Sequence, residues 1–116
     1  MGRIPITVVE VDPFPAKAAQ VWNDDERFEF IGFIAANPEV GDIMAGGAGV
    51  RKVRWSRLGT GKRGGVRVIY YFYNESIPLF LLTVYPKNQK DDLTAAELTA
   101  MKRTVSLLRS TYGKAS

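Results

Sequence analysis

Apolar positions change their spacing several times along the chain. Ile4, Ile6 and Val8 fall on alternate residues, a period of two that predicts a short strand. Asp12-Pro13-Phe14-Pro15 interrupts it. Pro15 suits the first position of a short helix through Ala16–Trp22, because its fixed φ is helical and its missing N–H is not needed there. Asn23-Asp24-Asp25-Glu26 predicts a second helix start, with an asparagine cap and three acids at the positive end of the helix dipole. Phe28, Ile31, Ile34 and Ala35 recur at helical spacing and are expected to face the core. Asn37-Pro38 ends this helix, since a residue before proline avoids the helical region. Gly41–Gly49, with four glycines in nine residues, is expected to be a loop.

From Val50 the period returns to two. Lys52 and Arg54 point one way, Val53 and Trp55 the other, so this strand has a cationic and an apolar face. Gly59–Gly65 predicts a hairpin-like connection. Val66–Tyr73 and Leu79–Tyr85 follow as strands rich in β-branched and aromatic residues, joined near Asn74–Pro78. Such short connections favour antiparallel neighbours. Thr94-Ala95-Ala96-Glu97 matches a capping box. Leu98, Met101, Val105, Leu108 and Tyr112 then form one stripe of a long helix. The order strand, two helices, three strands, helix implies an α+β fold: an antiparallel sheet with two N-terminal helices and a C-terminal helix packed on it. With no internal repeat or linker, the 116 residues are expected to form one domain, 1–116.

Composition narrows the chemistry. An apolar fraction of 46% with thirteen aromatic residues excludes intrinsic disorder. Without cysteine there is no disulfide framework and no thiolate nucleophile, which suits a reducing cytoplasm. Without histidine the usual general base and the commonest metal ligand are missing. Serine-histidine, cysteine-histidine and most zinc chemistries are thereby excluded, and neither metal nor cofactor is expected. No apolar run approaches the roughly 20 residues of a membrane span. Met1-Gly2-Arg3-Ile4-Pro5 lacks the apolar stretch of a signal peptide. A cytoplasmic location without a membrane partner is therefore expected.

Charge is divided unevenly. Residues 1–49 carry three basic and eight acidic side chains, whereas residues 50–116 carry thirteen basic and four acidic. Val50–Arg67 alone holds seven cations and no acid. Such segregation concentrates a positive field and points to a polyanionic partner. The glycine-rich connection is not a phosphate-binding P-loop, because Gly61-Lys62 is followed by Arg63 rather than serine or threonine. Paired-carboxylate chemistry is poorly supported too. The acids cluster where helix starts explain them, Asp91-Asp92 before the last helix included.

The cationic strand face remains. Lys52 and Arg54 project from one face, roughly 6–7 Å apart along the strand. If the strands are neighbours, Arg67, Tyr85 and Lys87 join them. Such a cluster suits RNA: cations neutralise phosphates and a tyrosine ring can stack on an unpaired base. It also suits metal-free cleavage by the RNA's own 2′-hydroxyl. Crowded cations lower a lysine's pKa toward that of a base, and arginines stabilise charge growing on the phosphate. The residues alone leave binding without catalysis open. Arg51, Arg57, Lys62, Arg63 and Lys90 are expected to hold the RNA backbone.

Three segments carry a resemblance. Val50-Arg51-Lys52-Val53-Arg54, Gly61-Lys62-Arg63-Gly64-Gly65-Val66-Arg67-Val68-Ile69-Tyr70-Tyr71 and Leu81-Leu82-Thr83-Val84-Tyr85-Pro86-Lys87-Asn88 together resemble the RelE/ParE superfamily of toxins, most of all its HigB-type branch. Asn37-Pro38-Glu39-Val40-Gly41-Asp42 fits that family's helix-to-loop passage, and the resemblance spans residues 25–112. It implies a RelE-like fold and a type II toxin: a small endoribonuclease that cuts mRNA, generally on the ribosome, and stops translation. It also implies a cognate antitoxin, a helix-turn-helix DNA-binding protein similar to HigA. By position, Lys52 and Arg54 match the family's cationic strand pair, Arg67 the arginine of the next strand and Lys87 the basic residue after the last strand. Some members carry a catalytic tyrosine further on, where this chain has Asp91-Asp92-Leu93. Lys52 is then the first choice of general base and Lys87 the second. The ParE branch of the same superfamily inhibits DNA gyrase without cleaving RNA, so the fold leaves that alternative open beside a plain RNA-binding module.

Overall fold

The computed structural model describes residues 4–56, 65–89 and 92–113. Their elements run β1 (Val8–Glu10), α1 (Phe14–Val21), α2 (Asp24–Ala36), β2 (Asp42–Ile43), β3 (Val50–Trp55), β4 (Val66–Tyr71), β5 (Leu79–Pro86) and α3 (Ala95–Tyr112). One sheet has the order β1-β5-β4-β3-β2. Neighbours from β2 to β5 are antiparallel, while β1 joins the edge parallel to β5, pairing Val8–Glu10 with Leu79–Leu81. A parallel pair needs a long crossover, and the whole run from α1 to β4 supplies it. The expected α+β fold, with a mostly antiparallel sheet and three packed helices, is what forms.

Alternation along the strands sorts the core into two layers. On one face Val66, Val68, Tyr70, Leu81 and Val84 pack with Phe14 and Ala18 of α1 and with Phe30 and Ile34 of α2. Val53 and Trp55 of β3 pack against the same layer, as the period of two predicts. On the other face Val50, Ile69, Tyr71, Phe80 and Leu82 pack with Val105 of α3. The β4–β5 register jumps between Ile69 and Tyr70, from Thr83 to Leu81, and this change of parity puts Tyr85 on the α3 side with Phe80 and Leu82, and Val84 on the other side with Leu81.

Both predicted caps form. Glu26 N–H donates to Asn23 Oδ1 at 2.8 Å and Asn23 N–H donates to Glu26 Oε1 at 2.9 Å. Thr94 and Glu97 exchange the same pair of bonds at the start of α3. Several expectations need correction. Phe28 is 61% exposed and Phe30 is buried in its stead, while Ile34 and Ala35 are buried as expected. The helix is rotated so that Phe30 stacks on Trp22 at 5.2 Å and meets the edge of Trp55 at 5.4 Å. Arg27, half-buried on that helix, pairs with Glu10 of β1 at 3.0 Å. The first strand is only Val8–Glu10, because pairing with β5 begins at Val8, and Ile4 is exposed. The first helix begins at Phe14, one residue before Pro15, and ends at Val21. The glycine-rich 41–49 segment contains the two-residue strand β2.

A buried hydroxyl fixes the passage from α2 into the sheet. Tyr70 has no exposed surface; its O–H donates to the Pro38 carbonyl at 2.9 Å, and Gly41 N–H donates to Tyr70 Oη at 2.8 Å. Burial raises the phenol above its ordinary pKa, so it stays a neutral donor. Gly41 is needed for close approach: a Cβ there would lie 2.7 Å from Tyr70 Oη and 2.9 Å from the Lys52 carbonyl oxygen. Tyr70→Phe keeps the ring but strands a buried N–H and a buried C=O. Urea denaturation should show a loss of about 1–3 kcal/mol. A loss within error would mean that the hydroxyl does not secure this passage.

Candidate phosphate-binding end of the sheet

The register brings the predicted cations together. Arg54 lies directly opposite Arg67, and Arg67 lies opposite Tyr85, so these three form one row across β3, β4 and β5. Lys52 stands one row in, opposite Ile69. By strand alternation all four project from the face that carries α3. The buried layer under that helix takes in Val50, Ile69, Tyr71, Phe80 and Tyr85, whereas Lys52, Arg54 and Arg67 are not part of it. Lys87 follows at the same end: its N–H donates to the Gly65 carbonyl at 3.2 Å, one step past the Val66–Pro86 pair.

Each side chain has a distinct setting. Lys52 Nζ contacts Asp92 Oδ2 at 3.1 Å, with 27% of the lysine side chain and 49% of the aspartate side chain exposed. Asp92 Oδ1 accepts from Leu93 N–H at 2.9 Å. That N–H bond, then Lys52, then the charge of Arg67 hold the Asp92 carboxyl below its ordinary pKa. The influence of Arg67 on Asp92 puts lysine, arginine and carboxylate in one electrostatic group. Arg67 Nε is buried and has no hydrogen-bond partner among the described residues. Tyr85 is 6% exposed and packs in the α3-side layer, so little of its ring is open for stacking on a base. Beside it lies a cavity of about 420 Å³ whose lining includes Thr83, Gln89, Leu93 and Met101. Among the described residues no group of three or more potential ligands could hold a metal ion.

Arg51 is not brought to this group. It differs from Lys52 by one position and turns to the opposite face, where Nη1 donates to the Glu39 carbonyl at 3.1 Å and the Gly41 carbonyl at 2.8 Å. It supports the same passage that Tyr70 holds. Arg57, Lys62, Arg63 and Lys90, expected to hold RNA, lie outside the described residues. Asp92 is the site residue that sequence reasoning passed over. A carboxylate two residues before a helix cap reads as a dipole partner, and its contact with a residue forty positions earlier leaves no local signal.

The molecule is thus a small α+β domain whose sheet ends on one face in an arginine–arginine row with an adjacent lysine. Comparison with protein families gives it a place: the family model for the RelE toxin of the RelE / RelB toxin-antitoxin system matches residues 34–114. The chain belongs to the RelE toxin family, a family of toxin–antitoxin systems. The match starts in the last turn of α2 and takes in the whole cationic group. Among the described residues no helix is long and apolar enough to cross a membrane.

Two outcomes follow from the geometry. Arg51→Ala should cost about 1.5–3 kcal/mol in urea denaturation, because it removes charged hydrogen bonds to two carbonyls, and should leave RNA affinity nearly unchanged. A large loss of RNA affinity at unchanged stability would contradict that assignment. Asp92→Asn should lower stability at neutral pH by less than about 1 kcal/mol, since the pair is half exposed. Asp92 has a depressed folded pKa, so its contribution is present above the unfolded carboxyl pKa and lost as pH falls through the folded value. The difference between variant and wild type should therefore close in acid. A gap that persists there would mean that the ion pair is not its source.

Proposed function

We propose that this protein is a metal-independent mRNA endoribonuclease of the HigB-like branch, acting in the cytoplasm on mRNA held by the ribosome and neutralised by a cognate helix-turn-helix antitoxin similar to HigA. The observation that carries the reading is the convergence of Lys52, Arg54 and Arg67 at one end of one sheet face, with Lys87 at the same end. Membership of a toxin family whose members cleave mRNA supports it.

The chemistry needs only the RNA and these cations. The 2′-hydroxyl oxygen attacks the adjacent phosphorus, and the bond from phosphorus to the 5′-oxygen breaks. The products are a 2′,3′-cyclic phosphate and a 5′-hydroxyl end. One proton leaves the 2′-hydroxyl and one is delivered to the departing 5′-oxygen, so no external reactant is consumed. Negative charge grows on the non-bridging oxygens, where the exposed Arg54 and the partly buried Arg67 act on it. Lys52, already matched to a carboxylate, serves as a cationic phosphate clamp. The proton from the 2′-hydroxyl is then assigned to Lys87, the second candidate, in place of the paired Lys52, because Lys87 lies at the same end of the sheet and has no ion pair among the described residues.

Removing one preorganised charge partner of a transition state costs about 10²–10³ in rate. Arg67→Ala should therefore slow cleavage of a translated transcript about a hundredfold or more. The double variant Lys52→Ala, Arg67→Ala should abolish both growth arrest and new transcript ends on induced expression. Full toxicity of the double variant would refute the site. Intact transcripts with DNA-damage signalling would point instead to gyrase inhibition, and salt-dependent RNA binding without new ends to a binding module.

A further inference from the structure

We propose that Asp92 is a resident stand-in for the RNA phosphate: its carboxylate occupies the anion seat formed by Lys52 and Arg67, and RNA enters by exchanging a phosphate for it. The inference rests on the reading above that this end of the sheet binds RNA.

Three observations on different elements converge. First, the Lys52–Asp92 contact of 3.1 Å links β3 to the segment that leads into α3, and the lysine is mostly withdrawn from solvent. It is a directed tie across the sheet end rather than a neighbouring pair on one helix. Second, the same carboxylate feels Arg67, whose buried Nε has no hydrogen-bond partner among the described residues. Third, Asp92 is aimed. Leu93 N–H holds Oδ1 at 2.9 Å, and the Thr94–Glu97 capping box that follows fixes the chain at 2.8 and 3.1 Å.

The chemistry of the exchange is direct. A carboxylate and a phosphodiester each present two equivalent oxygens sharing one negative charge. An ammonium and a guanidinium accept either. The cations need such a partner, since the Val50–Arg67 stretch contains no acid of its own. Arg54 opposite Arg67 is a like-charge cross-strand pair, which is unfavourable when the site is empty. Asp92 offsets that repulsion. It also sets a threshold, because an incoming phosphate gains only what the carboxylate gives up. Loose RNA gains little by this exchange, whereas RNA that also engages Arg54 and the other cations gains enough to displace the aspartate. Asp92 is half exposed, so it can swing out without unfolding α3, whose own cap is Thr94.

The test is binding of a short single-stranded RNA with 2′-O-methyl groups, which cannot be cleaved, followed by fluorescence anisotropy over a salt series. Wild type, Asp92→Asn, Asp92→Glu and Arg67→Ala are compared. Asparagine keeps an acceptor for Leu93 N–H and removes the charge. Asp92→Asn should bind about two- to fivefold more tightly, the fold-change matching loss of one half-exposed ion pair. Its plot of log K against log salt should steepen by about 0.7, because wild type must take up a cation on the released carboxylate. Asp92→Glu restores the charge and should return affinity and slope toward wild type. Arg67→Ala should bind more weakly. If Arg67→Ala weakens binding while Asp92→Asn binds no more tightly than wild type, the exchange is overturned and the RNA site stands. If Arg67→Ala leaves binding unchanged, the RNA site itself is misplaced and the exchange falls with it. Should Asp92→Asn fail to fold, the Asp92→Glu slope decides: a slope steeper than wild type overturns the proposal.

Discussion

Everything at the candidate site depends on the register that sets Arg54 against Arg67. Two guanidinium groups on directly opposed residues of a ladder, whose Cβ atoms stand only about 4.5–5.5 Å apart, repel each other. The ladder holds because the reverse face of the same strands is a dry apolar layer. Val66, Val68 and Tyr70 on β4 meet Phe30 and Ile34 of α2, and Val53 and Trp55 of β3 join them. One face is apolar along these strands, and the charge sits at the end of the other. A slip of one residue would bury the arginines and expose the valines, so the hydrophobic face specifies the position of the cations.

The second face is itself divided. α3 lies over its apolar half and fully buries only Val105 of its own residues, while Met101 and Leu108 are half-buried. On β3 and β4 the apolar layer under the helix takes in Val50 and Ile69, and the next positions on the same face are Lys52 and Arg67. Its entry segment then returns one carboxylate, Asp92, to that boundary. The division explains why a short helix-entry segment is so close to the proposed chemistry. The element that completes the core on this side also supplies the counter-charge.

The position of Lys52 along the sheet is held from behind. Tyr70 and Arg51 both grip the Pro38–Gly41 passage, one through its hydroxyl and the other through its guanidinium. The backbone of Gly41 is so close to the Lys52 carbonyl that no side chain fits between them. Two residues of the acid-poor, cation-rich stretch thus have opposite uses. Arg51 builds the scaffold and Lys52, its neighbour, faces Asp92. Strand parity already separates them in the sequence, although composition alone groups them.

The sequence by itself determined the local devices: the asparagine-capped start of α2 and the capping box of α3, the three-stranded run from Val50 to Pro86, the opposed faces of Lys52–Arg54 and Val53–Trp55, and the family resemblance. Each depends on contacts within a few residues or on a period of two, and such signals survive without knowledge of partners. Tertiary structure decided the rotation of α2, which buries Phe30 rather than Phe28 because the aromatic partners Trp22 and Trp55 lie on that side. It also decided the parallel seating of β1 and the meeting of Asp92 with Lys52. These depend on groups brought together across long loops, where direction and distance are set by packing of the whole core and no spacing along the chain records them.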